Sequence, residues 1–278
     1  MMGISALDNA LWDLRGRHFE APVYRCRRPD AREGDGLWLD AGLVGGARAR
    51  RQTCDGAESA GLSPPKWFLA YGPGDGSVGL EKNIELVRVL REAVGPEVDL
   101  MFDAFMGWDL NYAMAWCAAV EQYRPRWLEE AFHVDKLDSF VQLARETTIP
   151  IATGEHFYGR WEVKDFLEAQ AISVVQADPE WCGGVSELVK ICALGSAFDA
   201  HVIPHGHNVH AAMHVVASQS PMTCPLVEFL ILKMASYYFF DKHPPVPVGG
   251  KLELPDRPGF GMELDEAKIE KRTRLSWS

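Results

Sequence analysis

The chain has 278 residues, 47% of them hydrophobic and 24% charged, enough for one large domain or two small ones around a full core. A net charge of −11 argues against nucleic acid or an anionic membrane surface as partner, while leaving room for a small anionic substrate met by a local cation. None of the six cysteines, at 26, 54, 117, 182, 192 and 224, forms a Cys-x-x-Cys pair, so reduced thiols in a cytoplasmic protein are expected, with no zinc ribbon or disulfide framework.

In chain order, residues 4–16 place Ile4, Leu7, Leu11 and Leu14 at spacings of three and four, an amphipathic helix stopped by Gly16. Its acids argue against reading this stretch as a signal peptide, and no apolar run in the chain is long enough to span a bilayer. Residues 26–65 are rich in Arg, Gly, Ala and Pro, with one candidate strand, LWLDAGLV. From Lys66 the pattern becomes regular. KWFLAYG reads as a strand, GPGDG as a turn and NIELVRVLREAVG as a helix ended by Gly95. Strands VDLMFDA, RWLEEAF, IPIATGE, ISVVQAD, AHVIPHG and PLVEFL then alternate with helices LNYAMAWCAAVEQY, LDSFVQLARET, WEVKDFLEAQA, VSELVKICALGSAF and HAAMHVVASQS.

Strands alternating with helices predict parallel βαβ units, and nearly continuous apolar strands predict a sheet covered on both faces. The number of units approaches the eight of a (β/α)8 TIM barrel. An open doubly wound sheet is the rival, and it is weakened because no Gly-x-Gly-x-x-Gly follows any strand.

The strand ends carry the chemistry. Asp103, Glu129, Glu155, Asp178, His205 and Glu228 each close an apolar run, at intervals of 23 to 27 residues, about one strand–helix unit. In a (β/α)8 barrel the C-terminal strand ends converge on one face, where active sites lie. Asp103, Glu129 and Glu155 would repel one another if bare, and a hard divalent cation, Mg2+, resolves that repulsion with oxygen ligands. Glu130, on the other side of the pleat from Glu129, reads as a supporting group. Asp178 beside His205 orients the imidazole and raises its basicity. Glu228, among so much negative charge, is read as able to stay protonated and donate a hydrogen bond. His156 is placed at the pocket lining. Lys66 either contacts a substrate carboxylate or simply sits at a strand mouth. His207, His210 and His214 are read as surface or packing residues.

The segments DNALWDLRG, LMFDA, RWLEEAF, TGEH, VQADPEWCGG, IPHGHN and VEFL together resemble the mandelate racemase subgroup of the enolase superfamily. The likeness runs from about residue 66 to the C-terminus, with an island at 4–25. KWFLAYGPGDG, ADPEWCGG, VIPHGHNVHAAMHVVASQSP and PVPVGGKLELPDRPGFGMEL are most similar to its acid-sugar dehydratases of the L-rhamnonate type. The resemblance implies Mg2+ on Asp103, Glu129 and Glu155 binding a sugar-acid carboxylate, with His205, oriented by Asp178, removing the α-proton. It implies that Glu228 hydrogen-bonds the resulting enediolate, and that loss of the β-hydroxyl gives a 2-keto-3-deoxy acid. By family analogy the protein is a homo-oligomer.

The same resemblance divides the chain into residues 1–25, the last helix and linker of an N-terminal capping domain; 26–65, an irregular segment in place of the first barrel unit; 66–235, the barrel core; and 236–278, a C-terminal return segment. The chain is thus expected to begin near the end of a capping domain. Racemases of the subgroup carry Lys-x-Lys on the second strand, the second lysine being a base; here the triplet is Lys66-Trp67-Phe68, and Phe68 takes no proton. Ala131, where the family usually has Pro, follows the glutamate pair. One-base dehydration is therefore favoured. The alternatives are a catalytically impaired member of the superfamily and a racemase or epimerase of a hydroxy acid.

Overall fold

The computed structural model describes residues 1–27, 38–45 and 65–274. Two N-terminal helices, α1 (Met2–His18) and α2 (Val23–Arg27), precede β1 (Trp38–Gly45) and β2 (Pro65–Phe68). Regular alternation follows: α3 (Gly76–Val94), β3 (Met101–Asp103), α4 (Leu110–Val120), β4 (Trp127–Glu129), α5 (Leu137–Glu146) and β5 (Ile151–Thr153). It continues through α6 (Arg160–Glu168), β6 (Val174–Val175), α7 (Val185–Ala197), β7 (His201–Val202), α8 (Val209–Ala217), β8 (Val227–Leu230) and α9 (Ile231–Tyr237). A last strand, β9 (Lys251–Glu253), pairs antiparallel with β1.

The parallel strands run in the order β7-β6-β5-β4-β3-β2-β1-β8. The circle closes where the Val202 N–H donates to Thr223 O (2.8 Å) and the Glu228 N–H to Pro204 O (3.4 Å). The fold is the expected (β/α)8 barrel. The candidate strand inside 26–65 does take the first barrel position: β1 pairs in parallel with both β2 and β8. The irregular stretch expected around it, at 28–37 and 46–64, and Cys54 with it, lie outside the described residues. The helix read from Asn83 begins earlier, at Gly76, because a 3-10 turn over Pro73–Asp75 leads directly into it.

Period-two alternation splits the core into two layers. Met101, Trp127, Ala152, Val174, Ile203 and Leu226 form a ring inside the barrel. Their neighbours Phe102, Leu128, Ile151, Val175 and Val202 point outward and pack beneath the helices with Trp116, Phe140, Val163, Leu188 and Ile191. Phe140 sits edge-to-face with Phe132 at 5.1 Å and with Phe166 at 5.3 Å, tying α5 and α6 to the end of β4. No disulfide joins Cys26, Cys117, Cys182, Cys192 or Cys224 among the described residues.

Helix α1 reverses the usual use of amphipathicity. Its apolar residues Ile4, Leu7, Leu11 and Leu14 are 60–68% exposed, while Ser5, Asn9 and Gly16 are the buried ones. The polar edge faces the barrel because backbone groups there need partners. Asn9 Nδ2 donates to Pro179 O, and the Ser186 N–H donates to Asp8. The C-terminal segment is fastened to the same region, the Phe260 N–H donating to Asp13 and the Val23 N–H to Gly259 O. Among the described residues no helix is long and apolar enough to cross a membrane.

Phe140 is fully buried between two rings, so Phe140→Ala is expected to cost roughly 3–5 kcal/mol, read as a lowered denaturant midpoint at unchanged slope.

Candidate active site

Five of the six candidate strand-end residues follow the inner ring by an even number of positions; Glu155 stands three after Ala152 and joins the others past the turn at Gly154. Asp103 stands two after Met101, Glu129 two after Trp127, His205 two after Ile203, Glu228 two after Leu226, and Asp178 four after Val174. The alternation that buries the ring therefore aims these side chains into the barrel mouth. Register sets Asp103 directly beside Glu129 and Phe68 beside Asp103. Asp103, Glu129, Glu155, Asp178, His205 and Glu228 are all buried.

Sharp turns beyond the strands complete the arrangement. Glu130 has φ 42°, and Phe105 and Met106 are also left-handed, so the chain bends away immediately past the acids. Gly154, before Glu155, has φ 136°, and a Cβ there would stand 2.9 Å from the Gln176 backbone nitrogen. Only glycine fits without displacing one of the two strands.

Asp103, Glu129 and Glu155 each offer an oxygen, and these atoms lie within 4.8 Å of one another. Lys66 rises from the floor layer, where it pairs in register with Met101. Its ammonium contacts Glu129 and Glu228 directly and stands 3.7 Å from Asp103. The Lys66 side chain is 2% exposed and shared among these carboxylates. Burial works against its charge, but Glu129, Glu228, Asp103 and Glu155 outweigh burial and hold its pKa well above the usual lysine value.

One ammonium cannot neutralise four acids. Burial pushes Asp103 up to about 7, against the pull of Lys66. Burial likewise drives Glu129 and Glu155 above the ordinary carboxylate range. Glu228 behaves differently. Burial raises it, but Lys66, His205 and the Gly206 N–H together hold it below the usual range. These partners work against the expected protonated Glu228, which shares Lys66 and accepts the Gly206 N–H. The three acids of the trio are hard oxygen donors, and their charge is unbalanced; both features suit an oxygen-seeking divalent cation.

On the other wall, His205 Nδ1 lies 2.8 Å from Asp178 Oδ2. The His205 Nε2 faces inward, 3.3 Å from Glu155 and 3.7 Å from Glu228. Burial lowers the affinity of the ring for its proton, but Glu228, Asp178 and Glu155 reverse that and carry its pKa to about 10. Asp178 is held in turn: its Oδ1 accepts the Glu180 N–H at 2.7 Å, and its Oδ2 the His207 N–H at 3.2 Å.

His156 is half-buried, its side chain 23% exposed, with Nδ1 2.8 Å from Glu130. That hydrogen bond raises its pKa. Glu130 is therefore a support for His156, reached despite its different pleat position because the strand has already ended. His210 and His214 are buried packing residues, His210 bonded to Asp241 and His214 to the Tyr24 N–H. His207 is closer to the chemistry than expected, its ring centroid 4.4 Å from that of His205. Trp181 was also passed over; it stacks on His207 and meets His156 edge-on. Gln176, two residues after the inward Val174, is buried with no hydrogen-bond partner for its carboxamide among the described residues. The period that locates Asp178 also marks Gln176, but an amide gives no charge signal in the sequence.

Residues 66–268 match the model of the enolase C-terminal domain-like family. The chain is 37% identical over 272 residues to an L-rhamnonate dehydratase of Saccharopolyspora erythraea, the match covering 94% of this chain and 66% of that protein. It is 34% identical to a putative L-rhamnonate dehydratase of Caldivirga maquilingensis, over 95% of this chain and 65% of that one. The chain thus spans just under two thirds of the length of these relatives. Among solved structures, rhamnonate dehydratase from Gibberella zeae complexed with Mg superposes with a TM-score of 0.82 at 32% identity, covering 96% of this chain and 64% of that one.

Asp103 and His205 both bind protons more tightly folded than unfolded, so each favours the fold most at pH below its ordinary value, 3.8 and 6.5, and loses that contribution as pH rises through about 7 and about 10. In chelator, the denaturation midpoint is expected to fall from pH 6 to pH 10, with a shallower fall above pH 7 in His205→Asn.

Proposed function

The chain belongs to the enolase C-terminal domain-like family, and from that premise we propose that it is the barrel of a Mg2+-dependent acid-sugar dehydratase. The observation that carries this reading is the opposition, across one buried mouth, of an acid trio and a histidine–aspartate dyad. In it, Asp103, Glu129 and Glu155 are the residues that would hold Mg2+. The chemistry a bound Mg2+ supplies is positive charge, which offsets the acids that keep His205 protonated and draws electron density from a substrate carboxylate.

The remaining work falls to the chain's own groups. Asp178 holds Nδ1 of His205, leaving Nε2 as the atom that takes the α-proton. The electron pair left at the α-carbon moves toward the carboxyl group and then expels the β-hydroxyl, which departs as water with the proton from His205. The enol so formed becomes the 2-keto-3-deoxy acid. Glu228, in contact with Lys66 and 3.7 Å from His205, is assigned to hydrogen-bond the developing enediolate. Lys66 and His156 are the cations assigned to the anionic end of the substrate, one at the barrel floor and one at the rim. Residues 1–25 are assigned to the end of a capping domain, and the substrate to the aldonates, which the similarity to L-rhamnonate dehydratases supports.

A racemase needs a second base facing His205. Where the racemase lysine would stand, the Phe68 ring packs edge-on to Phe105, with centroids 6.4 Å apart. That favours elimination over 1,1-proton transfer.

Incubation with a panel of aldonates and Mg2+ is expected to give a 2-keto-3-deoxy acid, detected as its semicarbazone. His205→Asn is expected to lower kcat by about 10²–10⁴-fold. Bound metal without a keto product from any aldonate would refute the reading, and inversion of the α-carbon without loss of water would replace it with the racemase. Because burial holds the trio's protons, Mg2+ binding near pH 6.5 is expected to release protons. Calorimetry in buffers of different ionisation enthalpy measures that release, which shrinks in Asp103→Asn.

A further inference from the structure

We infer that Asn9, on α1, is a positioning residue for the His205–Asp178 dyad, because its carboxamide bridges both ends of the loop that carries Asp178. Asn9 is buried, 7% exposed. Its Nδ2 donates to Pro179 O at 2.9 Å, and its Oδ1 accepts the Val185 N–H at 3.0 Å. Pro179 directly follows Asp178, and Val185 opens α7. One amide thus spans the whole 179–185 connection, and fixes the peptide adjoining the carboxylate that holds His205.

The start of α7 shows why a side chain from another helix does this. Its N-cap is Gly184, which has no side chain to offer. α1 supplies the missing acceptors: Asp8 takes the Ser186 N–H at 2.9 Å, Ser5 Oγ the Gly183 N–H at 2.9 Å, and Asn9 that of Val185. The approach is so close that a Cβ on Gly184, at φ 83°, would lie 2.4 Å from an Asp8 carboxylate oxygen. The paired glycines of ADPEWCGG are therefore the seat of α1. These contacts differ in what they reach. Ser5, Asp8 and Trp12, whose Nε1 donates to Ser186 Oγ, hold the α7 end. Asn9 also reaches the Asp178 end. From within the loop Asp178 is oriented by the Glu180 N–H, and from outside by the clamp on the next carbonyl. Asn9 touches no reacting atom and acts through Asp178.

The kinetic consequence rests on the dehydratase reading; the structural one does not. Asn9→Asp keeps an acceptor for Val185 but sets a carboxylate against Pro179 O. Ser5→Ala removes a contact at the α7 end alone. In the full chain, the low-field Nδ1–H proton resonance of His205, assigned by its loss in His205→Asn, reports the bond to Asp178 directly. Asn9→Asp is expected to speed its exchange with water about tenfold or more, while Ser5→Ala changes it less than about twofold and loosens only the Gly183 amide. With an aldonate and Mg2+, Asn9→Asp is expected to lower kcat about tenfold or more at nearly constant KM, as misplacement of a catalytic group does. Should Asn9→Asp not fold, Asn9→Ala is read by the same two measurements. A low-field resonance unaltered in the Asn9 variant, or equally altered in Ser5→Ala, overturns the positioning role. If the wild-type chain turns over no aldonate, the dehydratase reading fails, and the resonance comparison alone decides the role of Asn9.

Discussion

Negative charge crowded into a dry barrel mouth is the constraint on which the rest of the site depends. Asp103, Glu129, Glu155, Asp178 and Glu228 are nearly or completely removed from water, with Glu130 close behind them. Isolated ionised carboxylates in such a place would cost several kcal/mol each. Lys66, at the base of the site, binds two of them and stands near a third. Backbone N–H groups of Phe105, Glu180, Gly206 and His207 hold Asp103, Asp178 and Glu228. What these donors leave unbalanced raises the proton affinity of the trio and of His205. The site is thus built to accept positive charge, and the fold supplies the rigid frame that prevents the acids from moving apart.

Much of this was readable from the sequence, for a definite reason. Parallel strands buried on both faces are apolar to their last residues, so a charged residue ending each run stands out. Asp103, Glu129, Glu155, Asp178, His205 and Glu228 all stood out in that way, and the barrel gathers them. Proximity between strands was also implied, since each strand in a (β/α)8 barrel neighbours the next; His205 and Asp178 end adjacent strands and meet.

What escaped the sequence depended on distances across the barrel or on side chains without charge. The ionisation of Glu228 turns on Lys66, more than 160 positions away in the chain, and on which carboxylates that ammonium touches. Gln176 and Trp181 carry no titratable group, so they produced no signal, though one is buried in line with Asp178 and the other walls the mouth. Glu130 escaped its pleat position because the strand stops at Glu129 and the backbone turns left-handed at once. The first barrel strand was nearly hidden: a tract rich in Gly and Arg gives little periodicity, and its place is fixed by pairing with β2, β8 and β9.

The outward stripe of α1 bears on how variation in this protein should be interpreted. Tolerance maps usually assume that leucines at helical spacing are the sensitive positions and that the small polar residues between them are free to drift. Along α1 that assumption inverts. Within the barrel domain, Leu7 and Leu11 stand in the open, while Ser5 and Asn9 are enclosed and bonded to backbone. A conservative-looking change such as Asn to Leu would strand two peptide groups without partners, whereas a drastic-looking Leu to Gln would break no contact among the described residues of the barrel domain. Hydropathy alone would rank those two changes in the wrong order.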